Sequence, residues 1–168
     1  KYQRVNHFPG TWELGRKDKM YKNVANMRRA KGAEFDFVPR FFILPRDMEE
    51  FQQHVERNPS AMYIQKPLAS SRGRGIKMVV KPKEMPRDAS CLVQHYIRNP
   101  LTIGGYKFDI RLYCVVTCFD PLKVYLFEDG LVRFATEKYN SDSSHLKKRC
   151  VHLTNYSINK KKENFVHT

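Results

Sequence analysis

Residues 61–135 form a succession of short apolar, β-branched and aromatic runs punctuated by Gly, Pro, Asp and Ser, and this rhythm leaves few folds open. Residues 61–66, 75–80, 91–97 and 107–119 are rich in Val, Ile, Tyr and Phe, the side chains that suit a pleated, half-buried surface. Residues 123–128 and 131–135 flank Asp129-Gly130, a pair that accepts positive φ and so predicts a two-residue hairpin turn. Residues 151–156 read as a further strand ending in a polar turn. The first third has a different period. Met20, Val24 and Met27 recur at helical spacing within residues 16–31, with Lys and Arg on the other sides, which predicts a basic amphipathic helix. Asp47-Met48-Glu49-Glu50 has the spacing of a capping box, with Phe51 and Val55 on one face behind it and a stop at Asn58-Pro59. Hairpins dominate and helices flank, so the expected class is α+β with a largely antiparallel sheet. The change of period near Met62 suggests a helical part over residues 1–60 and a strand-rich part over residues 61–168.

A length of 168 residues is enough to bury a core, and 41% hydrophobic and 12% aromatic residues exclude a disordered chain. No apolar run reaches the roughly 20 residues of a membrane span, and none follows the first four residues as a signal peptide requires. Cys91, Cys114, Cys118 and Cys150 lack metal-ligand spacing and are expected to be reduced, buried thiols of a cytosolic protein. The net charge of +14 calls for polyanionic company. Nucleic acid, an anionic membrane, nucleotide phosphates and an acidic protein segment all satisfy it, as does a solvated surface with no specific partner.

Four segments carry candidate chemistry. Ser70-Ser71-Arg72-Gly73-Arg74-Gly75 lies between two expected strands; glycine lets amides approach an anion, and arginine adds planar donors that suit phosphate. No Gly-Lys-Ser/Thr follows, and a strand follows rather than a helix, so neither a P-loop nor a dinucleotide fingerprint fits. A flap over phosphates and a flexible basic hairpin tip both remain open. Lys66-Pro67 enters this loop, and a lysine there can reach back to phosphates under it. In the run 107–112, Lys107, Asp109 and Arg111 share one strand face, and Phe108, Ile110 and Leu112 the other. Charges carried into a core-forming strand are costly unless paired or liganded, so a cross-strand ion-pair ladder competes with a site holding phosphate and ribose or metal. Arg133 stands alone among apolar residues after Gly130 and suits bidentate capture of a carboxylate, or else packs its stem with its head in water. Thr154-Asn155-Tyr156-Ser157 is either a polar turn or part of a nucleotide and amino-acid pocket; His95 and His152 read as structural.

Taken in order, these segments resemble the tubulin–tyrosine ligase-like family of ATP-grasp amino-acid ligases. The likeness runs from Val5-Asn6-His7-Phe8-Pro9-Gly10 and Arg16-Lys17-Asp18 through Gln65-Lys66-Pro67, the glycine loop, Leu92-Val93-Gln94-His95-Tyr96-Ile97, Lys107-Phe108-Asp109-Ile110-Arg111 and Asp129-Gly130-Leu131-Val132-Arg133-Phe134-Ala135 to His152-Leu153-Thr154-Asn155-Tyr156-Ser157. It implies an ATP-grasp fold. Lys66 and Arg72-Gly73 would then bind ATP phosphates, and the backbone of Gln94, His95, Tyr96 and Ile97 would hold adenine. Lys107 and Asp109 would contact the nucleotide, and Thr154 and Asn155 would complete its pocket. Arg133, Tyr156 and Ser157 would bind the incoming amino acid, and Arg72 would also lie near the acceptor protein. Lys66, Lys107, Arg111 and Mg²⁺ would stabilise charge on the transferring phosphoryl group, with Lys107 and Arg111 as the catalytic pair. The implied reaction adds free L-glutamate to glutamate side chains in the acidic C-terminal tail of tubulin through an acylphosphate. The polyglutamylase branch is indicated by the glycine loop and by Asp129–Thr136 taken as a motif. A glycine-using sister ligase and a non-catalytic basic module binding acidic tails or nucleic acid are the alternatives. Implied partners are microtubules and L-glutamate, with no membrane and no nucleic acid; the implied location is the cytoplasm and cytoskeleton, with the cilium or basal body. The family's Glu-x-Asn magnesium group is absent after Thr154-Asn155, so the chain is expected to be C-terminally incomplete, without metal ligands, and inactive alone. Gln65 stands where the family commonly has an apolar residue.

Overall fold

The structure, a computed structural model, describes residues 2–3 and 5–165. Two compact units divide the chain, Lys1–Arg98 and Asn99–Thr168. This moves the boundary from the expected position near Met62, because strands on both sides of residue 62 pair in one sheet.

Unit 1 opens with α1 (Trp12–Gly15) and α2 (Lys17–Lys31), then β1 (Phe41–Leu44), α3 (Met48–Arg57), β2 (Tyr63–Lys66), β3 (Lys77–Val79) and β4 (Cys91–His95). The four strands form an antiparallel sheet in the order β1-β4-β2-β3. β4 is interior, so both edges of its backbone are paired, and its side chains from Cys91 to Gln94 are buried. α3 lays Met48, Phe51 and Val55 on the sheet, the i, i+3, i+7 stripe of a surface helix. They pack with Phe42, Leu44, Tyr63, Cys91 and Val93. The Phe42 and Phe51 rings lie 5.3 Å apart, and Phe51 meets Tyr63 edge-on at the same distance. β1 gave no signal in the sequence reading, its four residues being too few to show a period.

The capping box does not form. Asp47 stands at the N-cap, but its carboxylate accepts from the Ile43 amide at 2.7 Å and from Arg46, and makes no bond to the helix. α2 forms as expected, yet its buried residue is Tyr21 rather than the Met20–Val24–Met27 stripe, and Met27 is exposed.

Unit 2 contains β5 (Thr102–Ile103), β6 (Tyr106–Phe119), β7 (Leu122–Lys138), α4 (Arg149–His152) and α5 (Tyr156–Asn159). The sheet order is β5-β6-β7, all antiparallel. The hairpin turns at Asp120-Pro121, between Phe119 and Leu122, not at Asp129-Gly130. Gly130 lies inside β7 opposite Leu112, where the register jumps from Leu112↔Gly130 to Cys114↔Leu126 and leaves extra residues on β7. An added Cβ on Gly130 would stand 2.6 Å from the Arg111 carbonyl oxygen, so this glycine serves close backbone approach at a bulge. Residues 149–152 form a helical turn and residues 156–159 another, in place of the expected strand over 151–156.

β6 was expected to enter a core. Beyond Asp109 it pairs only with β7 among the described residues, and Ile110, Leu112, Tyr113 and Val115 on it and Val124, Tyr125, Leu126 and Phe127 on β7 are exposed. Cys114 is likewise exposed and Cys118 partly so, against the expectation of burial; Cys91 and Cys150 are buried, and all four are free thiols. No helix among the described residues is long and apolar enough to cross a membrane.

Candidate functional site

In unit 1 the glycine loop leaves β2 at Lys66 and returns in β3. Arg72, Gly73 and Gly75 take φ of 56°, 71° and 67°, the left-handed region. Arg72 is the non-glycine residue there, a conformation that L side chains hold only when their surroundings enforce it. Two tight turns enforce it here: the Arg74 amide donates to the Ser71 carbonyl at 3.1 Å and the Ile76 amide to the Gly73 carbonyl at 3.4 Å. Ser70 Oγ donates to the Arg74 carbonyl at 3.2 Å, and Lys17 Nζ donates to the Ser70 carbonyl at 2.5 Å, tying the loop to α2.

Lys66 is the last residue of β2, where the chain enters this loop. Its ammonium donates to Gln94 Oε1 at 2.6 Å. Burial, and then the Lys17 charge, push its pKa below the ordinary lysine value. No carboxylate among the described residues forms an ion pair with it. A partly buried cation beside a second cation, with only a neutral amide for company, is a standing demand for an anion.

The expected adenine segment has a more constrained backbone than the sequence suggested. The His95 amide donates to the Arg40 carbonyl at 2.7 Å and the Tyr96 amide to the Met62 carbonyl at 2.8 Å, so both donors are committed within unit 1. The His95 ring lies edge-on to Tyr63 and His54. Ile97 lies exposed beyond the end of β4.

In unit 2 the register sets Asp109 directly opposite Arg133. Arg133 Nε lies 3.1 Å from both Asp109 oxygens, and its Nη2 makes a short ion pair with Oδ2. The cross-strand ion pair therefore exists. It also replaces the picture of an Arg133 head standing in water. Lys107 Nζ donates to the His152 carbonyl at 2.9 Å. Arg111 is exposed, opposite Leu131. Buried His152 meets Tyr139 edge-on, as a structural histidine does, and burial lowers its pKa.

Thr154 and Asn155 are held by a residue absent from the sequence reading. Asn159 is fully buried; its Oδ1 accepts from the Thr136 amide and hydroxyl at 3.0 and 2.9 Å, and its Nδ2 donates to the carbonyls of Leu153 and Asn155 at 2.8 and 3.1 Å. Ser157 follows on α5. Tyr156 on the same turn is half exposed, with Phe165 edge-on and Lys160 Nζ 5.2 Å from its ring centre. Lys17, Tyr21 and Asn159 were missed as site-shaping residues; only the i, i+4 spacing of Lys17 and Tyr21 on one helix face hinted at the first two. No group of three or more His, Cys, Asp or Glu among the described residues can hold a metal ion.

Together these features describe an α+β protein with a basic strand–loop–strand segment in unit 1. The chain belongs to the tubulin-tyrosine ligase family, whose model matches residues 1–167. It is 46% identical over 159 residues to tubulin polyglutamylase ttll-4 of Caenorhabditis briggsae, covering 95% of this chain and 27% of that protein. Human tubulin polyglutamylase TTLL5 is 44% identical over 165 residues, covering 98% of this chain and 13% of that protein. Mouse tubulin monoglutamylase TTLL4 is 45% identical over 162 residues, covering 96% and 14%. The chain thus spans about a quarter or less of the length of these relatives.

Proposed function

We propose that this chain is the nucleotide-binding part of an ATP-grasp ligase that joins glutamate to glutamate side chains in the acidic C-terminal tail of tubulin. The observation that supports the nucleotide site is the Lys66 ammonium, held by a neutral amide and by no carboxylate among the described residues, at the strand end that leads into the glycine loop. The printed activities of the relatives, polyglutamylation and monoglutamylation of tubulin, support the choice of acceptor and amino acid. A cytoskeletal location follows from the same reading, with cilia and basal bodies included.

ATP, when bound, supplies the phosphoryl group that converts an acceptor carboxylate into an acylphosphate open to attack by an amine. Lys66 and the Arg72-Gly73 amides hold phosphate oxygens and offset the charge that grows on them, an electrostatic role that needs fixed donors rather than mobile ones. In the adenine segment the His95 and Tyr96 amides are spent and Gln94 lies in the paired interior of β4, so the base would be bordered from Ile97 and the end of that strand. Within unit 2, Lys107, Arg111, Thr154 and Asn155 are the residues that the family likeness assigns to the nucleotide and the reaction, and Asn159 pins the segment of the last two. Arg133 takes the glutamate substrate's carboxylate through the guanidinium edge that Asp109 leaves open, while Tyr156 and Ser157 border the same amino acid. Arg72, exposed at the loop tip, faces the acceptor. The described residues offer no ligand set for magnesium. The +14 charge attracts an acidic tail, and added salt weakens that attraction.

The test is incorporation of labelled glutamate into tubulin, with ATP and magnesium, by the full protein that carries this sequence, with labelled glycine in parallel. Lys107→Ala is expected to abolish ligation while tubulin binding persists. Unaltered turnover of that variant would overturn the site assignment, and incorporation of glycine alone would overturn the choice of amino acid.

A further inference from the structure

Gln94 is 5% exposed on the interior strand of unit 1, and its amide joins three elements. Oε1 accepts from Tyr21 Oη at 3.2 Å and from Lys66 Nζ at 2.6 Å. Nε2 donates to the Pro39 carbonyl at 3.2 Å. The amide has one workable orientation. Turned over, it would set its NH₂ against an ammonium and a hydroxyl and its oxygen against a carbonyl. Tyr21, itself buried and packed on Phe41 with ring centres 4.7 Å apart, brings the hydroxyl from α2, one helical turn beyond Lys17.

The chemistry of the acceptor is the informative point. A carboxylate at this position would hold Lys66 more strongly, but it would also neutralise it. An amide oxygen orients the ammonium and leaves its charge available. We infer that Gln94 and Tyr21 are positioning residues for Lys66: they fix the ammonium through a neutral acceptor, so that its charge is reserved for an anionic ligand. Pro39 fixes the amide, Gln94 fixes Lys66, and Tyr21 keeps Oε1 turned toward both donors. Lys17 sits on the same helix face as Tyr21 and anchors the loop at Ser70, so one turn of α2 braces both sides of the cradle.

This inference rests on Lys66 being a phosphate ligand, and the experiment separates the two. In the full protein, equilibrium binding of a non-hydrolysable ATP analogue is measured alongside kcat and KM for ATP, with thermal melting to register folding. Lys66→Ala serves as the reference. Gln94→Glu is expected to raise the analogue Kd and the ATP KM by about tenfold or more, the worth of one charge-assisted contact. Its melting temperature should fall by a few degrees, since one carboxylate oxygen pairs with Lys66 while the other replaces Nε2 against the Pro39 carbonyl. Tyr21→Phe keeps the ring packing and should raise the Kd about threefold. In a Lys66→Met background, Tyr21→Phe should have no further effect on the Kd, because the ammonium it helps to hold is gone. If Lys66→Ala weakens nucleotide binding while Gln94→Glu and Tyr21→Phe leave it unchanged, the positioning role is overturned and the phosphate role stands. If Lys66→Ala leaves the Kd unchanged, both fall.

Discussion

Replacing Gly75 by alanine separates two costs that the glycine loop avoids. At Gly75 φ is +67°, and an added Cβ would stand 2.6 Å from Pro67 Cγ and 3.5 Å from Cδ. An L residue in left-handed backbone costs about 1–2 kcal/mol. The contact with the proline ring lies about 1 Å inside the ordinary carbon–carbon optimum, and relieving it by shifting packed atoms costs a further ~1–3 kcal/mol. A total of about 2–5 kcal/mol corresponds to roughly 30- to 4,000-fold in the local opening equilibrium. Because the chain has two compact units, a single unfolding free energy is a poor readout, and local hydrogen exchange is the better one. The reporters are the Arg74 and Ile76 amides, whose partners are the carbonyls of Ser71 and Gly73. Gly75→Ala should speed their exchange by at least about thirtyfold. Pro67→Ala removes the ring carbons and leaves only the atom now 4.0 Å away, so in that background the penalty should shrink to the backbone part alone. Gly10→Ala is the control, with φ +77° and nothing within 4 Å of an added Cβ. It should show the backbone cost at its own position and none of the packing cost. Unchanged exchange at Arg74 and Ile76, or an equal Gly75→Ala penalty with and without the Pro67 ring, would refute the strain account of this loop.

Two other outcomes follow from the packing and titration of the units. Phe51→Ala opens a cavity beneath Phe42 and Tyr63 and should cost unit 1 about 3–5 kcal/mol, read by denaturant unfolding with a probe confined to that unit; a loss below about 1 kcal/mol would contradict its place in the core. His54 and His152 both have pKa values lowered from 6.5, in each case chiefly by burial. The folded state therefore prefers the neutral rings, so their contribution to stability is complete above about pH 6.5 and is lost as pH falls through the lower folded values. Melting temperature should decline from about pH 7.5 to about pH 5, and His54→Phe should flatten that slope for unit 1; an unaltered slope would show that the acid sensitivity lies elsewhere.

Local chemistry in the sequence determined α2 and α3, through period 3.6 and the stop at Asn58, and determined β2, β3, β4 and β6 to within a few residues. It also marked glycine between arginines after a strand-end lysine as a candidate for meeting an anion, with a flexible basic hairpin tip as the other reading. Family membership was legible in the order of those same motifs. Tertiary structure decided what local signals left tied. Asp120-Pro121 and Asp129-Gly130 are both turn signals, and the register that sets Phe108 opposite Phe134 and Asp109 opposite Arg133 selects the first, turning Gly130 into a bulge. Residues 151–156 have strand-like composition, but among the described residues no strand pairs with them, and Asn159 holds their carbonyls in a helical arrangement instead. The Lys17–Tyr21–Gln94–Lys66 network was invisible for the same reason. Its members lie up to 77 residues apart, from Lys17 to Gln94, and no periodicity reaches across such a distance. Only sheet pairing and the docking of α2 bring their polar atoms within hydrogen-bonding reach.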